Sequence, residues 1–344
     1  MGEQTELERS AAVAGAAGAE RAHNPYSAHR QLLRPEEVRE LSQLRAGPPL
    51  RDTAVAWLQI LAAWTAVAIW PQWWVVAIAI PIIGAANYAL HILGHDALHR
   101  RYWPDGRRND VLADLLLYGP VGAVTHVTGR NHLLHHLHLA TAADPDRHKY
   151  ASERKTTKRE LLLYLAGLSN LLPVIRSVFL RRASDVTGEL QAPEFAASRA
   201  GGYTRRDRAI VLAWQLVLVA GLWWAIGWWA YPLLWLVPVY VFRYCADEAR
   251  QFLEHAHLES DELADTHRLI TYTSSPLERV FFSPLHMNLH TAHHLWPSIP
   301  YYNLPAADRL IRERNRSDEL IWRESYVGTL REYLRSLPLP GTRV

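Results

Sequence analysis

The segment "HDALH" (95–99) puts His95 and His99 four residues apart at the end of a long uncharged stretch, so on a helix both rings share one face. His91 extends the same row. "NHLLHHLH" supplies His132, His135 and His136, and "NLHTAHH" repeats the H-x-x-H-H spacing with His290, His293 and His294. In "RQFLEHAH", His255 stands outside these three groups, at the end of a second uncharged stretch. Imidazole nitrogens bind iron, copper, zinc or nickel. Eight grouped histidines plus His255 make nine donors, too many for one ion, so two ions is the economical reading. The chain has 18 histidines and a single cysteine, Cys245. That excludes a disulfide framework, a cysteine-ligated zinc site and an iron–sulfur cluster within this chain.

The elements that must position these rings are membrane helices. From Thr53 to Leu90 there is no Asp, Glu, Lys or Arg. About 20 apolar residues cross a bilayer, so this stretch holds two passes, with Pro71-Gln72 as the turn between them. Ala209 to Phe242 is a second such stretch, with Tyr231-Pro232 as its expected turn. Tryptophans cluster at both turns (Trp70, Trp73 and Trp74; Trp223, Trp224, Trp228, Trp229 and Trp235), as expected at one membrane–water interface. Arg45, Arg51, Arg100, Arg101, Arg107, Arg108, Arg205, Arg206 and Arg208 lie at the opposite ends, which the positive-inside rule makes cytoplasmic along with both termini.

The expected fold is therefore an all-α integral membrane protein. Four transmembrane helices, about 53–70, 73–95, 208–229 and 232–252, form two hairpins under a cytoplasmic helical cap of about 96–207 and 253–344, which accounts for a mean hydropathy of only −0.13. Residues 25–344 read as one domain behind a disordered Ala/Gly tail, 1–24, that lacks the apolar core of a signal peptide. The apolar run 161–175 is short for a crossing and reads as an interfacial helix. The run 111–124, broken at Gly119-Pro120, reads as another, or as a helix packed under the cap. A net charge of +3 with no basic stripe argues against nucleic acid as a partner.

"HDALH", "HLLHH" and "HTAHH" together resemble the three histidine boxes of the membrane fatty acid desaturase and hydroxylase superfamily. "DPD" (144–146), "RQFLEH" (250–255) and "HHLWPSIPYYNLP" (293–305) extend the resemblance, which covers about residues 53–310. The closest likeness is to bacterial members, acyl-lipid desaturases and a rhizobitoxine-type branch among them. The resemblance implies a non-haem diiron centre that uses O2 and two electrons on an unactivated C–H bond. Its ligands would be His95, His99, His132, His135, His136, His255, His290, His293 and His294. It also implies a water-holding role at Gln251, where relatives carry Asn. Buried acids should fix the ring tautomers, and Asp96, Asp144, Asp146, Glu254, Asp247 and Glu248 are the candidates.

The implied reaction is O2-dependent desaturation of a lipid- or carrier-linked acyl chain or a related aliphatic substrate, with hydroxylation as the alternative from the same oxidant. No flavin or dinucleotide fingerprint is visible, so electrons should come from a separate partner, a ferredoxin with its reductase. The implied location is the bacterial cell membrane, with the site on the cytoplasmic side. Two rivals fit less well. A zinc protease would carry Glu where Asp96 stands and would leave the other clustered histidines unexplained. A histidine-rich metal transporter should place polar ligands near the bilayer midplane, where Gln59 and Asn87 are nearly the only candidates.

Overall fold

Uninterrupted apolar sequence leaves each backbone only helix as a way to satisfy its own polar groups in lipid, and the computed structural model shows the result. It describes residues 26–141, 143–150, 156–168, 203–256 and 267–338. The tail 1–24, His257 and residues 169–175 of the 161–175 run lie outside them; the start of that run belongs to the helix Lys158–Leu165. Three helices are long and apolar enough to cross a membrane: α1 (Gly47–Ile69), α2 (Trp73–Leu98) and, later in the chain, Arg205–Ala225. The first turn falls at Trp70–Gln72, as expected. The outer faces of these helices carry exposed Leu58, Ile78, Leu216 and Val217, side chains that suit lipid rather than water.

Between α2 and the third long helix come α3 (Gly106–Ala113) and α4 (Thr125–His138). The run 111–124 does not lie on the surface. It winds as a π-helix over Asp114–Tyr118 and a 3-10 turn over Gly119–Val121, then bends by 94° into α4, a pair that could count as a fourth, broken span. Such irregular winding frees carbonyls that must find donors. Trp57 Nε1 donates to Leu116 O at 3.0 Å, Trp214 Nε1 to Leu115 O at 2.8 Å, and Trp235 Nε1 and Gln215 Nε2 to Pro120 O at 3.2 and 3.0 Å. Trp57 stacks on both Trp214 and Trp235, with ring centroids 5.5 and 6.2 Å apart. Trp235, expected at the interface, is therefore buried. Asp114 Oδ1 accepts from Thr125 N and Oγ1 at 2.7 and 2.6 Å and so fixes where α4 begins.

Beyond α5 (Arg205–Ala225) the expected second hairpin needs two corrections. Its turn lies at 226–229, where Gly227 adopts φ 140, a conformation open to glycine, rather than at Tyr231-Pro232. The expected fourth span, 232–252, is not a regular α-helix. Residues 230–255 are helical throughout but wound as π-helix over Pro232–Leu236 and Val239–Cys245 before α6 (Ala246–His255). Pro232 and Pro238 lack the amide hydrogens that regular winding would use.

The structure is mostly helical, yet all-α is also corrected. The short strands β1 (Leu269–Tyr272) and β2 (Leu320–Arg323) pair in parallel, Leu269 opposite Leu320. β1 anchors α7 (His290–Leu295): Tyr272 exchanges bonds with Asn288, and Thr291 N donates to Thr271 Oγ1 at 3.2 Å.

α2 lies at the centre, and Gly84 lets the π-wound helix approach it, since a Cβ there would overlap the Phe242 ring. Gly84→Leu should therefore lower stability by about 1–3 kcal/mol. Gly221→Leu on α5, where nothing lies within 4 Å, should not. Thermal melting of the two purified variants in one detergent checks this.

Candidate metal centre

Four chain segments deliver imidazoles to one place. α2 brings His95 and His99 at its last turn, and α4 brings its three histidines. On α4, His132 and His136 are one turn apart and share a face, while His135 is rotated by about 100° from His136. The helix thus divides its ligating side chains between two groups. His95, His99, His132, His136 and His293 form the first, and His135, His255 and His294 the second; in each, the candidate ligand atoms lie within 4.8 Å of one another. His290 joins the second group through Nε2, 3.0 Å from His255 Nε2. All nine sequence-derived histidines therefore converge. His91 does not join them: its Nε2 lies 3.4 Å from Asp247 Oδ2.

Hydrogen bonds on the far side of the rings settle which nitrogens carry lone pairs. His255 Nδ1 lies 2.8 Å from the Arg268 carbonyl, which can only accept, so Nδ1 holds the proton. His135 Nδ1 lies 3.0 Å from both oxygens of buried Asp144, again an acceptor. With both rings neutral, as metal ligation requires, both Nε2 atoms are bare lone pairs, and they face each other at 3.2 Å. Two lone pairs at that distance repel and cannot form a hydrogen bond. A metal ion bound at about 2.0–2.1 Å from each imidazole nitrogen accounts for such a spacing. In the first group His99 and His132 approach Nε2 to Nε2 at 2.7 Å, and His136 and His293 at 3.1 Å. His294 Nε2 is buried with no hydrogen-bond partner. The donor set fits metal ions, and both groups could hold one.

Burial disfavours the charged form of these rings, as ligation requires, although at His135 the Asp144 carboxylate outweighs it and shifts the ring upward. Burial holds His290, His293 and His294 well below the ordinary 6.5, reinforced by neighbouring imidazoles and, for the first two, by Arg250.

The acids behind the rings divide sharply. Asp144 holds His135 and accepts from Tyr150 OH at 2.7 Å and Asp146 N at 2.8 Å. Glu254 Oε2 lies 3.2 Å from His290 Nδ1, off the line of a straight hydrogen bond, and is itself held by Arg250 at 2.6 Å and Tyr326 at 2.6 Å. Asp146 is one step removed, paired to Lys149 at 3.1 Å. Gln251 accepts from Lys149 Nζ at 3.0 Å and donates to Asp247 Oδ2 at 2.5 Å. Burial works against the Lys149 ammonium, but Asp146, Glu248 and Asp247 outweigh it and keep it charged. Glu248 accepts from Tyr164 OH.

The expectation that Asp96 backs a histidine is corrected. One residue on from His95 it points about 100° away, and its carboxylate accepts from Tyr301 N at 2.8 Å. Sequence reading missed Tyr150, Arg250 and the Arg268 carbonyl. Only Arg250, one turn before Glu254, carried a spacing that could have shown it.

Together these residues enclose a cavity of about 260 Å³ beside the rings, reached by His91, Asn131, Lys149 and Gln251. Comparison with known proteins agrees with this chemistry. Residues 71–326, well over half of the chain, match the family described as fatty acid desaturase. The chain belongs to the fatty acid desaturase family. A 96-residue stretch of this desaturase-family chain is also 33% identical to the beta-carotene ketolase of Paracoccus sp. (strain N81106 / MBIC 01143). That match covers 25% of this chain and 40% of the ketolase, less than half of that relative's length.

Two outcomes follow from the geometry. His255→Ala should lose bound metal as severely as His135→Ala, Asp144→Ala should weaken metal binding about 10–100-fold, and His126→Ala, at an exposed position on α4, should keep its metal. Metal content of the four purified variants by mass spectrometry decides this. In the metal-free protein the rings of His290, His293 and His294 resist protonation while those of the unfolded chain take up protons below about pH 6.5. The unfolded state then binds more protons, so stability is fully present above that pH and falls as pH drops below it. Melting temperature measured from pH 8 to 5.5 should be flat and then decline.

Proposed function

We propose that this chain is an O2-dependent desaturase that introduces a double bond into a lipid- or carrier-linked acyl chain or a related aliphatic substrate. The reaction is R–CH2–CH2–R′ + O2 + 2 e⁻ + 2 H⁺ → R–CH=CH–R′ + 2 H2O. The observation that carries the proposal is the facing pair of imidazole lone pairs at His135 and His255, within two histidine groups of a desaturase-family chain. In this reading His95, His99, His132, His136 and His293 hold one iron, and His135, His255, His290 and His294 hold the other. Two bound irons supply the reduction of O2 that attacks an unactivated C–H bond.

The chain's own side chains do the positioning. Asp144 and the Arg268 carbonyl fix the tautomers of His135 and His255, and Glu254 orients His290. Asp146 and Gln251 act one step out, through Asp144, Lys149 and Asp247. The arginine-rich helix ends favour a cytoplasmic site in a bacterial cell membrane, with electrons delivered by a separate ferredoxin and its reductase.

A second reading, hydroxylation of an aliphatic or secondary-metabolite substrate, is favoured by the partial match to a ketolase, an oxygen-inserting enzyme by its name. It consumes the same O2, electrons and protons but leaves one oxygen on carbon: R–H + O2 + 2 e⁻ + 2 H⁺ → R–OH + H2O.

Expression in a bacterial host, with metal analysis of the purified protein and profiling of the same membranes' lipids, tests both. Two irons per chain and a product lighter than its substrate by two hydrogens are expected. A product heavier by one oxygen would select hydroxylation. Stoichiometric zinc with full activity would overturn the diiron assignment.

A further inference from the structure

Away from the histidines, a groove of about 550 Å³ opens at the arginine-flanked end of α1. Its floor is apolar, formed by Leu50 on the first turn of α1 and by Val111 and Leu112 on α3. Leu50 is 41% exposed there. Trp103 stands at the edge, with the exposed Arg107 and Arg108 beside it. Neither guanidinium makes an ion pair or hydrogen bond among the described residues. Neighbouring arginines are engaged: Arg51 with Asp52 at 2.7 Å, Arg100 with Asp110 at 3.7 Å, and Arg101 with the His99 carbonyl at 3.1 Å. The one carboxylate lining the groove, Asp105, accepts from Arg108 N at 2.8 Å as the cap of α3, and the two arginines leave the groove with an excess of positive charge.

We propose that this groove binds an anionic phospholipid. Both arginines line the groove, and a guanidinium fork matches a phosphate, which it can engage with paired N–H donors. The apolar floor beside α1, a helix long and apolar enough to cross the membrane, takes the start of an acyl chain. Trp103 fits the headgroup level, where indoles concentrate. A free phosphate would leave the apolar walls uncovered. None of the lining residues belongs to the histidine groups, so the site does not depend on which reaction the centre performs.

The groove is tied to the centre through buried Asn109. Its Oδ1 accepts from Tyr102 N and Trp103 N at 3.2 and 3.1 Å, and its Nδ2 donates to Ala97 O at 2.9 Å, midway between His95 and His99. A lipid seated on Trp103 and α3 therefore braces the last turn of α2.

Quenching of Trp103 by brominated phospholipid tests the proposal. The Trp103 signal is the difference between the full chain and its Trp103→Phe variant in one detergent. Brominated phosphatidylglycerol should quench it at a far lower mole fraction than brominated phosphatidylcholine. Arg107→Gln with Arg108→Gln should raise the half-quenching mole fraction about thirtyfold, about fivefold for each arginine, and bring it to the phosphatidylcholine value. If the double variant fails to fold, the single variants read the fivefold steps. Equal quenching by both lipids, or no change in the arginine variants, would overturn the proposal. Displacement of phosphatidylglycerol by millimolar inorganic phosphate would also overturn it, in favour of a free anion.

Discussion

The structure depends on a repulsion that something must relieve. The Asp144 carboxylate and the Arg268 carbonyl each take a ring proton, and so turn two imidazole lone pairs toward each other across 3.2 Å. Without a cation that arrangement costs energy, and with one it becomes the joint between four chain segments. α2, α6 and α7 share the apolar core through Leu93, Leu253 and Leu295, and the rings add a polar joint to it. The groups that fix the tautomers lie on yet other pieces of chain. Asp144 follows α4, and Arg268 leads into β1. The centre therefore ties together segments that are far apart in the sequence.

A second layer of charge makes this arrangement tolerable inside the protein. Asp247, Arg250 and Glu254 follow one another along α6, each within 2.6–2.9 Å of the next. Tyr88 reaches Asp247 at 3.1 Å and Tyr326 reaches Glu254 at 2.6 Å. Buried charges survive only when paired and hydrogen-bonded. Here the pairing also holds position, because Arg250 fixes Glu254, which sits beside His255 on α6 and 3.2 Å from His290 Nδ1 on α7. Asp144 stabilises in the same way on the other flank, where Tyr150 and the Asp146 amide saturate the oxygens left over from His135.

The parts of this design that repeat were legible in the sequence. Imidazoles four apart on helices, charge-free stretches twice the length of a crossing and arginines at one set of ends are periodic signals. They led to nine converging histidines and to the first hairpin. What escaped was what depends on tertiary partners. Asp96 sits next to a ligating histidine in sequence but one helical step around from it. The tautomer of His255 is set by a main-chain carbonyl 13 residues away, and a carbonyl has no signature in a sequence. β1 and β2 are four residues each and separated by most of the third histidine region, too short and too distant for a period to show. The irregular winding near 114–121 has its freed carbonyls met by Trp57, Trp214 and Trp235 from elsewhere in the chain, a role for Trp235 that its place in a Trp-rich cluster does not reveal.

The π-wound stretches of the last membrane-facing helix set its angular phase. A π turn takes in more residues than an α turn, so each such segment shifts everything after it around the axis relative to regular winding. His255 ends that helix, ten residues beyond the second π segment. Removing one residue within 246–253, where the winding is already regular and cannot absorb the loss, would leave every histidine of the centre intact. The same deletion would swing His255 by about 100°, away from His135 and toward the far side of the helix. The exact number of residues between Cys245 and His255 is thus as much a part of the metal site as the histidines are, and homologous enzymes that vary freely in loop length should find this interval closed to insertion and deletion.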